Sequence, residues 1–525
     1  MARRITIDPI TRIEGHLSVE LEVENGRVSS AHVRGDMFRG FENIFRGRNP
    51  VDVVQLSQRI CGVCPISHGV VSSRSIESVC GIRAQGNGRI LQNLALASNF
   101  LQSHILHFYH LCAADFVDIT ALLSYGGADP QLSRLKEWAR RELAEKKDRP
   151  DSFSACAPFL PRYEGEGMYI DDTDANITLL AHYVRALDMR RRAHAMVALF
   201  GGRVPHAIGL VPGGVTQRPT RELVDRFAME LEEIRSFVDS CYLPDVAVVA
   251  RHFPEYFTLG GFHGFLAWGE FPEDDRGGNP FLPSGVVAAD RLADVDHGQI
   301  AEHVAHARYG SPSGLHPSRG ATEPRVDKAD AYSWIKSPRY DSTAMEVGPL
   351  ARILISLERG RPEVVREVDK LSGDLGIGPD ALRSTLGRHA ARALECRLLA
   401  DRAQAWLQEL RLDAPPRERY ELPTKSSGAG LGEAPRGALG HWITVEQGVV
   451  GSYQCVVPTT WNAGPRDDAG RPGPMEQALA GTPIQDPENP IEAVRVVHSF
   501  DPCIACAVHV LGTRRAKSKR ERKAS

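Results

Sequence analysis

Residues 90–112 read ILQNLALASNFLQSHILHFYHLC, a run with no Asp, Glu, Lys or Arg. Leu91, Leu94, Ala95, Leu101, Ile105, Phe108 and Cys112 recur at the three- and four-residue spacing of one helix face. The other face carries no charge either, so the spacing predicts a helix buried all round, at the centre of a core. Gln92, Asn93, Ser98, Asn99, Gln102, Ser103, His104, His107 and His110 lie within the same run and argue against a membrane span.

Outward from this helix, the pattern predicts further helices at about 131–147, 175–200, 219–241, 361–372 and 387–412, several with the opposed charges of surface-facing bundle helices. Before it, His16 to Gly35 alternates apolar and polar residues through Leu17, Val19, Leu21 and Val23. Asn25-Gly26 then supplies a pair that tolerates the positive φ of a tight turn, which predicts a β-hairpin. The expected fold is mainly α, with an N-terminal β-hairpin and minor β (α+β), built on a large helical-bundle core. The Pro- and Gly-rich stretches 271–285 and 464–490 are expected to be long surface loops.

At 525 residues and 42% hydrophobic content the chain has ample apolar material for a large core. With 63 Lys+Arg against 66 Asp+Glu, the net charge of −3 offers no whole-chain argument for nucleic acid or a membrane surface. Arg3-Arg4 is a twin arginine, but Asp8 and Pro9 follow where an export signal needs its apolar stretch, so no signal is expected in this chain. The last sixteen residues, 510–525, carry seven basic groups and one acid and cannot fold alone.

Ten cysteines are too few for a disulfide scaffold, and four of them form two CxxC pairs. Cys61 and Cys64 sit in RICGVCPISHG, Cys503 and Cys506 in SFDPCIACAVH, 442 residues further on. Four thiolates make a closed tetrahedral set for zinc, and soft thiolates suit iron and nickel equally, so ligand type leaves the metal open. A structural clip seldom spans a whole fold, at a cost in loop closure. His68 and His509 follow the two pairs, and Arg59 and Asp501 precede them, which is the company of donors a reactive metal needs to orient its thiolates. The other cysteines, at 80, 112, 156, 241, 396 and 455, lack the spacing of an iron–sulfur ligand set.

In DPITRIEGH (8–16), RGFE (39–42), RICGVCPISHG (59–69), HFYHL (107–111), LHPSRGATEP (315–324), YSWIKSPRY (332–340), EAPRGALGHW (433–442), VPTTWN (457–462) and SFDPCIACAVH (499–509), the chain resembles the large, catalytic subunit of nickel–iron hydrogenases. The resemblance implies one intertwined domain over residues 1–509, in which both CxxC pairs meet at a single centre. Cys61 and Cys503 would be terminal thiolates on nickel, and Cys64 and Cys506 would bridge to an iron carrying CO and two cyanide ligands. Glu42 and His509 match a second metal site, described as magnesium. Glu14 would take the proton from Cys503, Arg436 would stand over the open position held by Asp501, and Pro435 and Thr459 would contact the cyanides. His68, Arg59 and His104 would orient the centre. Many relatives carry Asp where this chain has Ser103, so Arg436 is expected to be held mainly by Asp501.

The implied function is reversible heterolytic cleavage of H2 in the uptake direction, with an iron–sulfur small subunit as partner in a heterodimer and no iron–sulfur cluster in this chain. A hydrogen-sensing regulatory subunit and a zinc-binding protein without redox activity are the alternatives. The resemblance also implies removal of residues 510–525 by a maturation protease after metallochaperones load nickel, leaving a net charge of −9. It implies no nucleic-acid partner, contact with a membrane only through a partner, and co-export to the periplasmic side with the small subunit, with a cytoplasmic location as the alternative.

Overall fold

The structure, a computed structural model, describes residues 3–144, 157–160, 162–163, 165 and 167–507. The expected hairpin is present as β2 (Leu17–Glu24) and β3 (Arg27–Gly35), and a third strand, β1 (Arg3–Ile7), pairs antiparallel with β2 to give the order β1-β2-β3. Leu17, Val19 and Leu21 are fully buried on one face, as the alternation requires. β1 was not expected, because RRITI offers only two apolar residues and two exposed arginines.

The helices that organise the chain are α1 (Pro65–Cys80), α2 (Gly86–Leu106), α3 (Thr173–Gly201), α4 (Arg221–Phe237), α5 (Thr385–Glu409) and α6 (Ile491–Ser499). Side chains cap three of them: Asp172 accepts from the amides of Asp174 and Ala175, Thr220 from Leu223, and Ser384 from Gly387. α2 is buried at every residue from Asn87 to Leu106 and lies against α3 and α5. It does not run on as α-helix to Cys112. Residues His107–Cys112 form a π-helical turn, and the wider turn brings the His107 ring to the end of α6, where Nε2 is 2.7 Å from the carbonyl oxygen of His498.

Sequence reading missed a second antiparallel sheet, β4 (Lys425–Ala434), β5 (Gly437–Glu446) and β6 (Val449–Val456). β4 reads KSSGAGLGEA, which lacks an apolar alternation because backbone, not side chains, packs on its helix-facing side. A Cβ on Gly430 would lie 2.0 Å from the carbonyl oxygen of Val71 in α1. The strand therefore lies directly on α1, which begins one residue after Cys64. The stretch 271–285 is not an open loop, since Glu270–Pro272 and Pro280–Leu282 pair as a short hairpin. Within 464–490, helix Pro474–Leu479 carries Met475 and Leu479 fully buried.

Among the described residues the two largest apolar clusters frame the site. One surrounds α2 and includes Leu94, Leu101, Leu180, Phe200, Leu399 and Trp406. The other joins the two sheets through Leu17, Val19, Ile443 and Tyr453, and all four CxxC cysteines belong to it. Among the described residues no helix is long and apolar enough to cross a membrane.

Candidate metal centre

The first CxxC turn leads into α1 with Pro65 at the first helical position, where its missing N–H costs nothing. The amides of Val63 and Cys64 point back at Cys61 Sγ, at 3.2 and 3.4 Å, a setting that favours a thiolate. The second turn opens the short helix Ile504–Ala507. Cys61 and Cys503 sulfurs are 3.3 Å apart, Cys64 and Cys506 3.5 Å, Cys503 and Cys506 3.0 Å, and all four sulfurs fall within 4.8 Å of one another. All are buried free thiols. Burial pushes the Cys503 and Cys506 thiols well up, since thiolates crowded in a dry pocket repel, whereas a cation among them removes that penalty. The donor set thus fits a thiophilic metal.

Glu14 reaches this cluster because the N-terminal segment runs beside the second turn. Ile504 N–H donates to the Glu14 carbonyl at 2.7 Å, and Gly15, at φ 89°, allows the close approach, since a Cβ there would meet the Ala505 nitrogen at 2.8 Å. The Glu14 carboxylate accepts from Ala505 N–H at 3.1 Å, and its Oε2 is 3.2 Å from Cys503 Sγ. Burial, seconded by the Cys61 sulfur, raises Glu14 to about 7. Its neighbour Arg12 turns away, in a left-handed conformation (φ 53°), to pair with Asp115.

Above the sulfurs, Arg436 is buried and held twice by Asp501, Nε to the backbone oxygen at 2.9 Å and Nη2 to Oδ1 at 2.8 Å. Ser103 Oγ accepts from Nη1 at 3.3 Å. Thr459 Oγ1 accepts from Cys503 N–H at 3.0 Å. The turn at Pro435 is fixed from behind by Arg352, which donates to the carbonyls of Ala434 and Pro435 at 3.1 and 2.9 Å. Arg352 also meets Glu395 in a bidentate pair at 2.6 and 2.7 Å and Glu433 at 2.7 Å. His104 Nε2 is 2.7 Å from Glu395 Oε2 and so belongs to this network rather than to the sulfurs. Burial opposes the charge on Glu395, but Arg352 outweighs it and holds the carboxyl at about 2.

Sequence reading passed over Arg352 and Glu395, which belong to no quoted motif, and over Arg39, which opens RGFE. Arg39 donates to the carbonyls of Arg59 at 2.8 Å and of Ala505 at 3.4 Å, tying the two cysteine turns together. The Arg59 side chain itself is exposed and its carbonyl does the work, so its expected role among the groups orienting the metal falls to Arg39. His68 Nδ1 is 3.2 Å from His441 Nε2, and His441 continues to the Tyr453 hydroxyl at 2.8 Å. Glu42, expected with His509 at a second metal site, is 2% exposed. Its carboxylate accepts from Cys455 N–H at 2.8 Å and from the Thr322 hydroxyl, with Lys336 Nζ at 4.0 Å. His509 and the 510–525 extension lie outside the described residues.

The profile of the family described as nickel-dependent hydrogenase matches residues 39–509, and one described as HoxL-like matches 4–34. The chain is 40% identical to the periplasmic NiFeSe hydrogenase large subunit of Desulfomicrobium baculatum, over 97% of this chain and 95% of that one. It is 36% identical to the uptake hydrogenase large subunit of Rhizobium leguminosarum bv. viciae, over 97% and 95%. The reduced NiFeSe hydrogenase structure from Desulfovibrio vulgaris Hildenborough superposes with a TM-score of 0.86 at 39% identity, covering 97% of this chain and 100% of that one. A pocket of four buried thiols faced by a carboxyl and a guanidinium, in a chain that matches these proteins along nearly its whole length, belongs to the nickel-dependent hydrogenase family, as a large subunit.

Proposed function

We propose that the chain cleaves H2 heterolytically and reversibly, chiefly in the uptake direction, at a nickel–iron pair held by Cys61, Cys64, Cys503 and Cys506. In this reading Cys61 and Cys503 would hold the nickel, Cys64 and Cys506 would be shared with an iron carrying one CO and two cyanides, and Pro435 and Thr459 would contact the cyanides. The observation that carries the reading is the meeting of four buried thiols, drawn from both ends of the chain, with Glu14 Oε2 3.2 Å from Cys503 Sγ.

When bound, the metal pair supplies a redox-active Lewis acid at which H2 is polarised and split. Cys503 Sγ then serves as the base that receives the proton, and Glu14 accepts it next, the two atoms already standing at hydrogen-bonding distance. Arg436 presents a fixed positive edge over the open side of the sulfurs, and its Asp501 pair keeps it from collapsing onto them. Glu42 and His509 are assigned the magnesium.

Electrons leave through a small subunit carrying iron–sulfur clusters. The large-subunit relatives support that partner, the uptake relative supports the direction, and the periplasmic relative supports co-export with the small subunit. Metallochaperones load the metal, and a protease then cuts after His509. The test is elemental analysis of anaerobically purified heterodimer together with H2-dependent reduction of a viologen dye. About one nickel per large subunit with H2 uptake is expected. Zinc in the pocket, or nickel without H2 uptake, overturns the reading.

A further inference from the structure

A second group of soft donors lies outside the CxxC pocket, where the π-helical turn after α2 meets α5. His107, Cys112 and His389 are all buried, and one donor atom from each falls within 4.8 Å of the others. The Cys112 sulfur is 3.2 Å from His107 Nε2 and 4.0 Å from Nδ1. The carbonyl oxygen of His498, 2.7 Å from His107 Nε2, takes that N–H and leaves Nδ1 with its lone pair. Such an outer carbonyl is how a metal-ligating imidazole is usually fixed in one tautomer. The His389 ring lies beside that of His107, with centroids 5.4 Å apart and planes within 22° of one another, and neither of its nitrogens has a hydrogen-bond partner. A buried imidazole with two unmade hydrogen bonds is costly, and nothing in the hydrogenase reaction as derived above uses it.

We propose that His107, Cys112 and His389 form a three-coordinate site for copper(I). One thiolate and two imidazoles are a soft set, with no carboxylate among the three donors. Charge decides between the monovalent ion and zinc. Arg392, one turn beyond His389 on α5, is fully buried, and its Nε has no hydrogen-bond partner. Copper(I) with the Cys112 thiolate adds no net charge beside that guanidinium, whereas zinc(II) with one thiolate adds a positive charge to a dry pocket whose nearby carboxylates, Asp115 and Asp501, are already paired with Arg12 and Arg436. Binding is an exchange in which the Cys112 S–H bond breaks, its proton leaves, and a sulfur–copper bond forms with no change of oxidation state.

The test uses the assembled heterodimer, purified anaerobically from cells grown with added copper and, separately, with added zinc. Copper near one per large subunit is expected, with an X-ray absorption spectrum of one sulfur and two nitrogen scatterers. His389→Gln and, independently, Cys112→Ala should each lower copper at least about tenfold while nickel stays unchanged. Copper below about a tenth per chain, copper untouched by both substitutions, an all-sulfur spectrum, or zinc taken up in its place overturns the proposal.

Discussion

The floor and the canopy of the metal pocket are built on opposite rules. In the floor, four thiols crowd together within 4.8 Å and the Glu14 carboxyl stands near pH 7, so these groups keep unspent capacity for metal and protons. In the canopy, Arg436 makes three hydrogen bonds, and Arg352 reaches two carboxylates and two backbone carbonyls, with Glu395 held at about 2. The four thiols and the two guanidiniums are all buried, and Glu14 alone is partly open. What separates them is bonding: the groups that react keep few partners, whereas the two guanidiniums that position are each held by several.

Four substitutions test this division. Cys503→Ser removes a soft ligand and the proposed proton acceptor together, and nickel is expected to fall below about a tenth per chain with no measurable H2 uptake. Substantial uptake by this variant would erase the distinction. Glu14→Gln preserves shape but cannot carry a proton, and turnover should drop about 10²–10⁴-fold at unchanged nickel content. A variant that keeps wild-type turnover would move Glu14 into the positioning class. In the canopy, Arg352→Met strands Glu395 and Glu433 without their cation, and denaturant titration should report a loss of about 3–5 kcal/mol. A stable Arg352→Met protein would mean the canopy is less tightly coupled than its contacts imply. Smallest is Ser103→Ala, which deletes one 3.3 Å contact to an arginine that Asp501 still holds. Uptake kinetics should change less than about tenfold, in line with about 0.5–1.5 kcal/mol for one hydrogen bond.

The floor and the Arg436–Asp501 pair were legible in the sequence and the support behind the canopy was not, for a physical reason. Thiolate ligands come as close pairs within one turn, so Cys61 with Cys64 and Cys503 with Cys506 are visible as spacing. Arg352, Glu395 and Glu433 meet only because the helix Pro349–Glu358, α5 and β4 converge, and no local pattern encodes that meeting. The same contrast runs through the fold. α2 and the β2–β3 hairpin announce themselves by period, but β4 hides because its glycines face the backbone of α1, and the π-helical turn at His107–Cys112 hides because its sequence is indistinguishable from a continuing helix. His104 is expected among the groups that orient the centre, and its ring bonds into the Arg352–Glu395 network. Arg59 was singled out for its position before Cys61, where only its carbonyl matters.

The bridge between Glu14 and the second cysteine turn also sets a timetable. Cys61 leaves the ribosome 442 residues before Cys503. At about 5–20 residues per second, this is roughly 20 to 90 s in which Cys61 and Cys64 wait as bare thiols without the turn that will enclose them. The N-terminal segment cannot close over the pocket until that last turn arrives. The centre therefore does not exist during synthesis, and the first cysteine pair must be kept reduced through the whole of that interval.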